Sequence, residues 1–500
     1  IFFHPLLKYP GPVFAQFSGW PSFWHTLKGD HHIWFWQLRE LYKGPVARYR
    51  YNSVVLTTPD TLHIIYDSSS NVQKAHQYGV WPKKAESPQT FSCVDKRLHT
   101  RMRRILNAAI SDKAVQSASE FVIAHVDRWL ELSSEREGEW SNLRNMATWA
   151  DSLQFDIMAE LCFGKSFGAK EPGQNEFRSI PKSISEFMWL TYRVSQVLIL
   201  CLVWLKPRGL DAIFGRLMPK KIKEYVVFVN RHVSKRLEQE KSAESKGAKS
   251  GRKDFLHYLF QAVDPKSGRR YSRLDLFAEA DMLAVGAADT TAATIAATFF
   301  YIARNPLVYR KLSEEIQTTF QSAGDIKIGP QLNSCKYLRA TINETLRMSP
   351  PGANEFPREV LEGGLRIGEH YIPAGVNVGC GFWALFHDDN IFRDPFVFRP
   401  DRWIVGDNVS EEDVAMAEKA FAPFSLGVRG CPGKGLALME LSILLAKTFY
   451  GYKFRLEPGD KTGEGYPGMG WGRNNRGQYQ TRDAFGPLRD GPYIQFASRA

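Results

Sequence analysis

A helical pattern that runs unbroken from Ser272 to Arg304 constrains this chain more than any other stretch. Ser272 with Asp275 three residues on makes a capping box, and Asn305-Pro306 stops the pattern at its far end. A helix of about 32 residues is near 48 Å long at about 1.5 Å per residue, enough to cross a whole domain. Its middle is unusual. Ala284, Gly286, Ala287 and Ala288 leave almost no side-chain volume, and a glycine in a helix interior costs about 1 kcal/mol against alanine. Close helix packing accounts for small residues. It does not account for Asp289-Thr290-Thr291, an acid and two hydroxyls in a segment that should be buried. Such groups need partners, and beside a cavity they can hold water or relay protons.

The 500 residues allow several domains or one unusually large one, at roughly 100 to 200 residues per domain. An apolar share of 44% and a charged share of 24% suit a packed globular chain and exclude disordered, collagenous and disulfide-stapled proteins. Residues 46 to 58 alternate and break like a hairpin, and from about Leu98 to Val308 the periodicity is mostly helical. Lys241 to Lys253 reads as a solvated loop. Beyond Gly363 come short strand-like pieces, Leu365 to Ile367, His370 to Ile372 and Val376 to Val378. Asp401 to Ala422 reads as irregular, Gly435 to Tyr450 as helical, and Glu457 to Pro492 as a Gly-rich tail region. The expected fold is mainly α with small peripheral β-sheets, in one large domain over residues 1–500.

Six cysteines without a CxxC pair exclude zinc ribbons and thioredoxin-type motifs, and most are expected to be reduced and buried. The start at Ile1 lacks an initiator Met and a signal-peptide pattern. The most apolar window, Trp189 to Leu205, is interrupted by Arg193 and Gln196 and falls short of the roughly 20 residues of a bilayer span. No transmembrane helix is expected, and the Pro-rich entry is compatible with a removed membrane anchor or a truncated linker. Lys and Arg exceed Asp and Glu by 65 to 53, a formal +12 that suits a nucleic acid, an anionic membrane or an acidic protein.

The most specific segment is Phe424-Ser425-Leu426-Gly427-Val428-Arg429-Gly430-Cys431-Pro432-Gly433. Its glycines let the backbone turn tightly beside a bulky group, with Cys431 at the tip. A helix begins just after and turns its positive end toward a thiolate. Phe424, Gly427, Arg429, Cys431 and Gly433 would coincide by chance on the order of once in ten thousand such chains. The segment resembles the haem-binding loop of the cytochrome P-450 family, the haem-thiolate monooxygenases. The resemblance implies Cys431 as axial ligand of a haem b iron, Arg429 on a propionate and Phe424 packed near the sulfur.

Other segments resemble the same family. Glu344 and Arg347, on one helix face at i and i+3, would form with Arg402 a structural network that locks the haem loop. Glu355 and Arg358 repeat the spacing, but Pro350, Pro351 and Pro357 argue against a second helical copy. Asp289 and Thr290 match the acid and alcohol that organise water for oxygen activation, with Ala287 where glycine is commoner. His99 and Arg103 share a face at i and i+4 in a segment like the family's propionate-gripping helix, and Arg358 matches another propionate-pairing arginine. Lys96 to Arg104, with five basic residues in nine, could alternatively be a nucleic-acid patch or a solvated face.

The resemblance spans nearly the whole chain. Residues 1–12 look like the hinge after the membrane anchor of fungal microsomal members, and Trp189 to Leu205 falls where the family has substrate-access helices that can rest on a membrane. An ordinary buried helix fits that window equally well. What the resemblance implies is a monomeric monooxygenase at the endoplasmic reticulum membrane, facing the cytoplasm and binding no nucleic acid. It would insert one oxygen atom of O2 into an apolar small molecule of secondary or xenobiotic metabolism, with NADPH-derived electrons from a flavoprotein reductase. Coupling, desaturation or ring rearrangement on the same fold, and a non-enzymatic haem-thiolate sensor, are the alternatives. Ala287, Ala353, Asn354 and Glu355 are the candidate substrate residues, Glu355 suiting a polar or cationic handle or simply facing water.

Overall fold

The computed structural model describes residues 4–80, 89–134, 138–197, 208, 219–245 and 252–499. The capping box forms as expected: the Ser272 amide donates to Asp275 Oδ2 at 3.0 Å and the Asp275 amide to Ser272 Oγ at 3.1 Å. From it the central helix runs over Arg273–Ala303. Pro306 does more than stop it, because it opens the next helix, Pro306–Thr319, at a position where its missing N–H costs nothing. Central-helix residues 291–302 are buried all round, whereas 285–290 are only half-buried. Half-burial in the middle of a core helix means that one side there faces an opening.

Met146–Phe163 is the main packing partner of the central helix, with Lys336–Met348 and Lys434–Gly451 alongside. These helices build the largest apolar core, around Trp129, Phe299, Phe300 and Phe449. A second core lies under a five-stranded sheet, around Leu62, Val378, Phe382 and Phe386. That sheet has the order Val46–Arg50, Ser53–Leu56, Asn377–Cys380, Arg358–Val360, Val72–Lys74. Its first two strands are the expected hairpin, with Val46 opposite Leu56. At the other edge the antiparallel register puts Lys74 opposite Arg358. Three smaller sheets complete a mostly helical fold with peripheral strands.

Some boundaries differ from the sequence reading. Lys220–Ser245 carries helix into the stretch expected to be loop, since Lys, Ala and Glu continue a helix readily. Within the stretch read as irregular, Ser410 and Asp413 make another capping box and start Glu411–Ala420, with three acids in its first turn. The strand read over Val376 to Val378 is Asn377–Cys380. Of the apolar window Trp189 to Leu205, the helix Ile180–Val197 holds the first part, and residues 198–205 lie outside the described ones. Among the described residues only the central helix is long and apolar enough to cross a bilayer, and it is a core element.

Candidate active site

The loop before Lys434–Gly451 is held by backbone bonds, Cys431 N–H to the Phe424 carbonyl at 2.7 Å and Gly430 N–H to the Gly427 carbonyl at 3.0 Å. Gly427 has φ +65°, and a Cβ there would run into the Tyr66 carbonyl. A Cβ on Gly433 would stand 3.8 Å from Cys431 Sγ. Phe424 joins the main core. Cys431 is exposed, unlike Cys93, Cys162, Cys335 and Cys380, yet burial among protein atoms pushes its thiol pKa up, against the Gly433 amide and Arg103.

Cations gather near this loop. Arg103 donates to the Gly430 carbonyl at 2.6 Å and to Asn107 at 2.7 Å. Arg429 donates to the carbonyls of Cys93 and Val94, and Arg358 to those of Phe356 and Pro357. Lys74 donates to the Phe91 carbonyl. None of these four makes an ion pair with a carboxylate among the described residues. Burial, then the charge of Arg358, lowers Arg429 to about 10, and burial with Arg358 and Arg429 takes Lys74 well below the usual lysine range. His99, pushed down to about 2 by burial and the surrounding cations, is neutral. Lys74, His99, Arg358 and Arg429 line one recess. Buried cations without counter-charge are costly, and an anionic ligand relieves that cost.

A thiol in a glycine-framed loop, cations lacking a carboxylate and an opening along residues 285–290 fit a planar, dicarboxylate cofactor such as haem. Cys431, Arg429, Arg103, Arg358 and His99 can hold it, with Lys74 as an addition that sequence reasoning missed. No local pattern marks Lys74; only the sheet register brings it beside Arg358.

The structural network forms and is larger than expected. Glu344 accepts from Arg347 Nε and Nη2, each at 2.9 Å, and from Arg402 Nε at 3.0 Å. The Arg399 amide and Trp403 Nε1 add two more bonds at 3.0 Å each. Glu355 and Arg358 lie in an extended segment, so the second copy of the spacing is not helical.

Asp289 is anchored rather than free. Its Oδ1 accepts from Arg489 Nη1 at 3.0 Å, and Arg489 also grips Asp151. Burial, with the Asp289 charge adding, pushes Asp151 up to about 6 although Arg489 opposes the rise. Thr290 Oγ1 donates to the Gly286 carbonyl at 2.8 Å. Ala287 lies on the same half-buried stretch. Asn354 and Glu355 line a separate pocket with Tyr78, Tyr192 and Phe485, which Ala353 does not join: its carbonyl accepts from the Trp383 amide at 2.9 Å.

Comparison with known proteins gives the family. A model of the cytochrome P-450 family matches residues 15–477. The chain belongs to the cytochrome P-450 family. It is 34% identical to cytochrome P-450 monooxygenase apf7 of Gibberella fujikuroi, over 100% of this chain and 94% of that protein. It is 32% identical to cytochrome P-450 monooxygenase AKT7 of Alternaria alternata, over 99% of this chain and 93% of that one. A third relative, cytochrome P-450 monooxygenase poxM of Penicillium oxalicum, is 32% identical over 99% of this chain and 91% of its own length. The protein is thus a monooxygenase of this family, with haem b as cofactor and O2 as co-substrate.

Proposed function

We propose that the protein inserts one oxygen atom of O2 into a largely apolar organic molecule of fungal secondary metabolism, with electrons from an NADPH-dependent flavoprotein reductase. The observation that carries this reading is the exposed thiol Cys431 on a glycine-framed loop whose Arg429 lines a recess with Lys74, His99 and Arg358, cations that make no ion pair with a carboxylate among the described residues. When bound, haem supplies the oxygen-activating chemistry. Cys431 would ligate its iron as thiolate, while Arg103, Arg358, Arg429 and Lys74 would neutralise the propionates and His99 would add a hydrogen bond. Thr290 holds a proton at Oγ1, now donated to the Gly286 carbonyl, and Asp289 passes protons inward from solvent. Arg489 sets where Asp289 waits.

We place residues 1–500 in one catalytic unit, monomeric, at the endoplasmic reticulum membrane. Val13, Phe14, Phe17, Trp20 and Trp24 support membrane contact, since each is more than half exposed and they lie on, or immediately after, two short consecutive helices. The deciding measurement is the absorption spectrum of the reduced, carbon-monoxide-bound protein. A thiolate-type Soret band is expected, with its loss in Cys431→Ala; wild-type protein without that band would refute the reading. Product formed under isotopic dioxygen separates oxygen insertion from coupling or desaturation.

A further inference from the structure

We propose that the pocket beside the haem opening binds a hydrogen-bond donor of the substrate, an N–H or O–H group, on Glu355 Oε2 and Gln196 Oε1. This rests on the monooxygenase reading above and names the chemistry of the molecule that the site accepts. Both side chains line the pocket and are only 6% exposed. Among the described residues, both oxygens are buried without a hydrogen-bond partner from another residue. Buried acceptors left open are rare in folded proteins, so two on one wall point to a ligand.

Most of the surrounding polar groups satisfy one another, leaving Glu355 Oε2, Gln196 Oε1 and the Tyr78 hydroxyl over. Tyr49 donates to Glu355 Oε1 at 3.0 Å, which orients the carboxyl and turns Oε2 away. His31 lies 3.9 Å from Oε2, but burial and then the Arg50 charge hold it neutral. Its Nδ1 is 3.2 Å from Asn354 Oδ1 and its Nε2 is 2.8 Å from Ser22 Oγ, so the ring is engaged on both sides. Asn354 Nδ2 donates to the Tyr192 hydroxyl at 3.2 Å and to Asp483. The frame is therefore pre-organised, and its open groups on Glu355 and Gln196 are two oxygen acceptors, with the Tyr78 hydroxyl at the end nearer the cationic recess.

The position suits a substrate handle. At one end, Tyr78 lies within the field of Arg358 and Arg429, two of the cations of the haem recess. At the other, Phe485 precedes Gly486, whose backbone packs so closely on Asp289 that a Cβ would strike Oδ2. One lining residue of the pocket thus stands near the cationic recess, and another is next in sequence to a residue packed on the acid of the central helix. A site built to bond a donor rejects the analogue that lacks it.

The test uses haem-loaded protein and two probe pairs, dodecan-1-ol with 1-methoxydodecane, and dodecanamide with N,N-dimethyldodecanamide. Binding is read from displacement of the ferric Soret band. In at least one pair the donor-bearing member should bind about 10-fold tighter or more, and which pair responds tells an O–H from an N–H handle. Gln196→Leu should cut that preference below about 2-fold. Glu355→Gln is isosteric and keeps an acceptor for Tyr49, but it offers the pocket an NH2 group; the preference should vanish or reverse. Equal binding within both pairs, a preference unchanged in both variants, or no response to any probe overturns the proposal. Absence of the thiolate-type band in wild-type protein brings down the haem reading instead, a failure distinct from equal binding by a haem-loaded protein.

Discussion

Glu344 shows what one residue contributes here. Its carboxylate accepts five hydrogen bonds in a site with no solvent access. Burial alone would raise its pKa, but Arg347, Arg402 and the Arg399 amide outweigh burial and bring it from 4.5 to about 2. Because the folded value lies below the unfolded one, the stabilisation is complete above pH 4.5 and is lost as pH falls through about 2. Thermal unfolding between these limits should show the loss, and Glu344→Gln should flatten that part of the profile. The same variant strands two buried guanidiniums, so at neutral pH it should cost about 3–5 kcal/mol in denaturant unfolding. The Glu344–Arg347 spacing was legible in the sequence because helix geometry sets which side chains meet at i and i+3. Trp403 and the Arg399 amide were not, since a folded loop brings them in.

Among the elements, the thiol loop was the most legible and the tail the least. Gly427 is required twice over, by φ +65° and by the Tyr66 carbonyl where its Cβ would go. Gly427→Ala should strain the loop by about 1–3 kcal/mol, and the purified protein should carry clearly less haem per chain by absorbance. The central helix gave up its cap, its span and its polar centre to inspection. Yet the setting of Asp289 depends on Arg489, which lies 200 positions away in a Gly-rich, Trp- and Arg-containing tail whose spacing does not say which arginine meets which acid. Arg489→Gln should leave haem content intact, free Asp289 and raise peroxide release per O2 consumed by several-fold, short of the roughly 10²–10⁴-fold of a lost proton-transfer group because Asp289 itself remains. Peroxide assayed against oxygen uptake checks it.

At the scale of the whole molecule, length alone left one domain and several equally open, and the packing of the central helix against its neighbours answers for one. The exposed aromatics of residues 13–24 belong to the same scale, because a membrane reads a surface rather than a motif. Trp20→Ser with Trp24→Ser should lower partition onto anionic phospholipid vesicles by about 10-fold or more, as sedimentation measures, given the apolar area removed. The +12 of the sequence resolves in part into cations that point inward at the recess. The sequence by itself determined what is local: the capped helix, the glycine-framed thiol and the acid and arginine one turn apart, because spacing along a helix or turn dictates which groups are neighbours. Only the tertiary structure decided that Lys74 faces Arg358, that Arg489 holds Asp289 and that Gln196 and Glu355 share a wall. Those contacts join residues far apart in the chain, and burial of the cores, which no periodicity encodes, is what closes the loops between them.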